Sequence, residues 1–186
     1  MTNVKKSAGW SAIRRHLNEQ SKTSLLALVK DLYDASPSTR DFLHARVQDE
    51  AGDGTAVERY RRTIVEQFFP TRGFGKLQLA AARKAIRDYR KATGNLAGTI
   101  DLMLTYVENG TQFTREFGDI NEAYYNSLES VLHEMTQLLR KDDPSLYLEF
   151  RERIQRLGDH ADHIGWGYGD YLGDQVGLLE AELAGE

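Results

Sequence analysis

The sequence predicts an all-α fold of stacked antiparallel helical hairpins, a short solenoid-like array, with an irregular helical bundle as the alternative. Three observations point there. Apolar residues recur at steps of three and four almost throughout, and sustained apolar–polar alternation is missing. The three prolines, Pro37, Pro70 and Pro144, all fall at boundaries between such segments. The segments pair into hairpins of roughly thirty to fifty residues with short connections, which favours antiparallel neighbours. No residue-level repeat accompanies the pairing, which keeps the irregular bundle in view.

Taken in order, Leu25, Val29, Leu32 and Tyr33 form a first stripe. Ser36-Pro37 then opens a second helix, with Phe42, Leu43 and Val47 inward. Thr55-Ala56-Val57-Glu58 matches a capping box, Val57, Tyr60, Ile64 and Phe68 share one face, and Pro70 with Gly73 stops that helix. Leu79, Ala82, Ile86 and Tyr89 mark the next helix, which ends at Gly94. Asn95 is placed to cap Leu96–Val107; Asn109-Gly110 should break that helix, leaving Thr111 to cap a short turn with Phe113 and Phe117. Asp119 is the expected cap of the longest helix, with Ile120, Tyr124, Leu128, Val131, Met135, Leu138 and Leu139 inward. Asp143-Pro144 opens another, with Tyr147, Phe150, Ile154 and Leu157 inward. About eight or nine helices are expected in all.

The chain has 186 residues and no cysteine, which excludes disulfides, thiol chemistry and cysteine-ligated zinc. One domain over residues 1–186 is expected, with residues 1–8 a flexible basic N-terminus. Neither a secretory leader nor a membrane-length apolar run is visible, so the expected setting is cytoplasmic, without a membrane partner. Charge is distributed unevenly. Residues 55–93 carry a net +7 and residues 94–186 a net −12. Such halves steer charged partners, or attract one another within or between molecules.

Two stretches carry the candidate chemistry. In HADHIGWGYGD (160–170), His160 and His163 stand one helical turn apart, and Asp170 and Asp174 follow. Two imidazoles and carboxylates suit zinc, manganese or iron, so a divalent metal is the cofactor to consider, although none is predicted outright. Solvent-facing or capping histidines are the plainer reading. Gly165, Gly169, Gly173 and Gly177 recur every four residues beside an apolar stripe through Tyr168, Leu172, Val176 and Leu179. Helical glycine costs about 1 kcal/mol relative to alanine, so another main chain is expected close against that face.

The second stretch is basic. Arg72 and Lys76 sit in a glycine-rich entry to a helix, and Arg83, Arg87, Arg90 and Lys91 line that helix's polar side. They are the candidates for binding an anion or nucleic acid; a solvated face, or one paired with the acidic half, is the plainer reading. Leu77 after Lys76 and Pro70 in place of the first glycine exclude a phosphate-binding loop. His133-Glu134-Met135-Thr136-Gln137 lacks the second histidine of a zinc-protease signature, and no GxSxG is present.

Three segments resemble an uncharacterised bacterial all-helical family, a domain-of-unknown-function group. They are Phe69-Pro70 through Lys84-Ala85-Ile86, FTREFGDINEAYYNSLESV (113–131) and GWGYGD (165–170). Residues 24–47 are similar to hairpins of bacterial helical-repeat proteins. The resemblance implies an all-α bacterial protein and supplies no catalytic residues. The functional expectation is therefore a non-enzymatic interaction module that binds a protein partner or itself. The alternatives are nucleic-acid association through residues 72–91 and a metal-dependent enzyme using His160, His163 and nearby acids.

Overall fold

Helix ends follow local chemistry wherever a cap dictates them. A computed structural model of the chain describes residues 9–51, 54–160 and 164–183. Among these there are nine helices and no strand. They are α1 (Trp10–Asn18), α2 (Lys22–Ala35), α3 (Pro37–Ala51), α4 (Thr55–Phe68), α5 (Leu79–Thr93), α6 (Leu96–Phe117), α7 (Glu122–Lys141), α8 (Leu146–Asp159) and α9 (Tyr168–Leu183). None of them is long and apolar enough to cross a membrane. The expected flexible segment 1–8 lies outside the described residues.

Asn95 caps α6 as the sequence predicts, its side chain accepting from the Gly98 N–H at 2.9 Å. Ser36 accepts from Thr39 N–H ahead of the Pro37 start of α3, at 3.4 Å. Three local expectations are corrected. The cap of α4 is Gly54, with no side-chain cap bond; Thr55 lies inside the helix, and Glu58 pairs with Arg61 instead. The cap of α7 is Asn121, accepting from Tyr124 N–H at 3.0 Å, which leaves the Asp119 carboxylate for another role. Asn109-Gly110 does not break α6, which runs through it without interruption. The reason is tertiary: a Cβ on Gly110 would come within 2.4 Å of a Leu128 methyl, so the missing side chain makes room for α7. The Tyr124 hydroxyl also donates to the Gly110 carbonyl at 2.7 Å.

The chain divides into two compact units, residues 1–43 and 44–186. Among the described residues of the first unit none is buried, and Leu26, Leu28, Val29 and Leu32 on α2 are exposed. The second unit holds the core. There α6 packs against α4, α5, α7 and α8, while α9 packs on α7 and α8. In a stack of hairpins each repeat touches only its sequence neighbours. A hub helix with four partners corresponds to the irregular bundle, and α6 accordingly has buried residues on nearly all sides. Phe68 centres an aromatic cluster, with Tyr106 edge-on at 5.5 Å and Phe113 and Tyr124 both at 6.5 Å.

Charged groups tie the helices together beside that core. Asp101 on α6 accepts from both terminal nitrogens of Arg61 on α4 and from Arg153 on α8. Arg153 also forks onto Glu108, at 2.9 and 2.7 Å. Burial works against the Arg153 charge, but the bonds and charges of Glu108 and Asp101 more than offset it and hold its pKa above the ordinary value. The basic middle and the acidic half therefore meet within one molecule, here and at Arg90–Glu134.

Candidate functional site: a basic groove between three helices

The polar face of α5 carries Arg83, Lys84, Arg87, Arg90 and Lys91, with Asp88 the only acid of the helix. Its other face buries Ala82, Ala85, Ile86, Tyr89 and Ala92 against the bundle. That amphipathic split turns the cations toward the seam with α7. Arg83, Arg87, Arg90 and Lys91 line a groove of about 370 Å³ whose floor is made by Ile86, Met103 and Val131. Glu134 is its one acidic lining residue. Lys84 is turned along α5 to Asp88.

The four groove cations are unequally committed. Arg90 Nη1 reaches Glu134 Oε1 at 3.3 Å, and Arg83 Nη2 donates to Ser130 Oγ at 3.1 Å. The Arg87 and Lys91 side chains are exposed and form no hydrogen bond or ion pair with other described residues, although the Lys91 carbonyl accepts from Arg46 Nη2 at 3.2 Å. Of the two plainer readings of the basic face, pairing with the acidic half describes Arg90 among the four, and a solvated face describes Arg87 and Lys91. Beneath the seam the Tyr106 phenol pKa is raised by burial, an effect that its Ser127 hydrogen bond and the Arg83 charge only partly offset.

The remaining sequence candidates lie elsewhere. Arg72 and Lys76 are exposed in the connection between α4 and α5 and do not line the groove. His160 ends α8 in a larger cleft of about 760 Å³, where Arg115, Arg153 and Arg156 are among its neighbours. Of the acids in that cleft, Glu108 is bound to Arg153 and Glu116 to Gln112. The lining of that cleft carries three guanidiniums against two carboxylates, a net positive set that repels a divalent cation. Among the described residues no three His, Asp or Glu side chains come together to hold a metal ion. His163 lies outside the described residues. Asp170 and Asp174 are exposed on α9 and line neither cleft.

The glycine stripe has a different explanation at each end. A Cβ on Gly165 would lie 2.4 Å from the Asp119 carboxylate, which also accepts from Gly165 N–H at 3.3 Å and from the Tyr125 hydroxyl at 2.7 Å. The close approach expected at Gly165 is thus real, but it is to a side chain, and it joins GWGYGD to FGDINEAYY. Gly169 is buried at the start of α9. At Gly173 and Gly177 no such approach occurs among the described residues of one chain. Both are exposed, and an added Cβ would meet nothing within 4 Å, so no main chain among the described residues lies against them. They sit on the side of α9 opposite Tyr168, Leu172, Val176 and Leu179, which take the packing.

Sequence reasoning missed the groove as a place, although it found the rim. Met103 and Val131 read only as core, and a pair separated by 44 residues, Arg90–Glu134, leaves no local signal. No family model matches the chain, and no curated protein or solved structure compared with it is similar to it.

Proposed function

We propose that this protein is a non-enzymatic helical interaction module of the cytoplasm that holds an acidic protein segment in the α5–α6–α7 groove. The observation that carries this reading is the composition of the groove: four cations on the rim against one carboxylate, over an apolar floor. A helix that lays apolar side chains on the floor and carboxylates along the rim satisfies both halves at once. The floor favours a protein segment over nucleic acid. Phosphate recognition needs no apolar seat, and from Arg83 to Lys91 the cations span only about 12 Å of helix.

The test is fluorescence anisotropy with a labelled peptide that sets leucines among glutamates at helical spacing. Its lysine counterpart and a single-stranded oligonucleotide serve as controls. The acidic peptide should bind, weaken with added salt, and lose about tenfold or more in affinity to Arg87→Glu/Lys91→Glu, because like charges then face each other. Equal binding by that variant, or tighter binding of the oligonucleotide than of the peptide, overturns the reading.

A further inference from the structure

The groove has a complementary surface on the same chain. The outer face of α9 exposes Asp170, Gly173, Asp174, Gly177, Leu178 and Ala181, one continuous helical stripe. Residues 164–183 contain no lysine or arginine. Asp170 and Asp174 form no ion pair with other described residues, and Leu178 is 49% exposed. Among the described residues nothing packs against Gly173 or Gly177 to offset their helix-propensity cost, about 1 kcal/mol each.

From these features we infer that the occupant of the groove is α9 of a second copy of this chain. The inference rests on the groove reading above. Arg87 and Lys91 stand four residues apart on α5, and Asp170 and Asp174 stand four apart on α9. Both uncommitted pairs therefore have the same spacing, about 6 Å along their axes. Laid antiparallel, Asp170 meets Lys91 and Asp174 meets Arg87. Leu178 then comes over the turn from Arg83 to Ile86, at the apolar floor. Gly173 and Gly177 present no side chain between these contacts, so the two helix backbones can approach closely. The contact joins different patches of the two copies. It propagates into a ring or filament, or closes reciprocally into a dimer.

The experiment is sedimentation analysis of the full chain across concentration, at low and high salt. The weight-average mass should rise with concentration at low salt and fall back toward the monomer at high salt. Arg87→Glu/Lys91→Glu and Asp170→Lys/Asp174→Lys should each weaken association about tenfold or more, and mixing the two variants should restore it. Misfolding cannot produce that rescue. Gly173→Leu/Gly177→Leu should abolish association while leaving the melting temperature unchanged or higher, since both positions are open within the chain. Association that survives both charge reversals, or variants that fail to rescue each other, overturns the inference. A wild type that stays monomeric while the acidic peptide binds the groove overturns self-association alone. If the peptide does not bind either, both readings fall.

Discussion

Phe68→Ala is expected to lower stability by about 3–5 kcal/mol, the usual cost of emptying a buried phenylalanine site. Phe68 is 1% exposed at the last turn of α4, and its ring contacts aromatic side chains from both α6 and α7. Its removal leaves a void at the point where three helices meet, and Tyr106, Phe113 and Tyr124 lose a shared partner. Tyr124 cannot easily collapse into the space, because its hydroxyl is bound to the Gly110 carbonyl. In a chain of this size the melting temperature should fall by roughly 6–20 °C, read by circular dichroism. A fall of less than about 2 °C means that the cluster is not the centre of the core.

The second large effect is expected at an exposed loop. In Gly75→Ala the new Cβ would lie 2.2 Å from the Phe68 carbonyl oxygen and 2.9 Å from that of Gln67. Both are main-chain atoms at the end of α4, so neither can swing aside. The loop is held there by Leu77 N–H donating to Gln67 O at 2.9 Å, and Leu77 adopts φ +51° to do so. Pushing the loop away breaks that bond and lifts the Phe74 ring off Phe117, where the centroids are 4.6 Å apart. The expected cost is about 1–3 kcal/mol, in the range of overpacking. Phe74→Ala removes only the ring contacts with Phe113 and Phe117 of a side chain that is 66% exposed, and should cost about 0.5–1 kcal/mol. Chemical denaturation of both variants checks the order. If Phe74→Ala costs more than Gly75→Ala, the loop is held by its aromatic ring and not by its close backbone fit.

Much of the fold was legible because it is encoded locally. Asn95 and Pro37 announce helix starts through chemistry confined to a few residues, and the three-and-four spacing identifies the buried face of each later helix. The errors share a cause. Asn109-Gly110 looks like a break until Leu128, far along the chain, occupies the space. Asp119 looks like a cap until Gly165 and Tyr125 claim its carboxylate and Asn121 takes the capping role. The same limit governs the site. The cations of α5 are visible in sequence because they are consecutive on one helix. The floor contributed by Met103 and Val131 emerges only when α6 and α7 are brought alongside. The glycines of α9 show the converse. Their spacing is plain, but only the packed molecule shows that Gly173 and Gly177 face outward.

The central claim concerns a place, and backbone amide shifts during titration of the acidic peptide test it most directly. The account predicts that perturbations concentrate on residues 83–91 of α5, on Met103, and on residues 127–134 of α7, and that they vanish in Arg87→Glu/Lys91→Glu. Perturbations centred on Arg115, Arg156 and His160, or on the loop from Arg72 to Lys76, would contradict it.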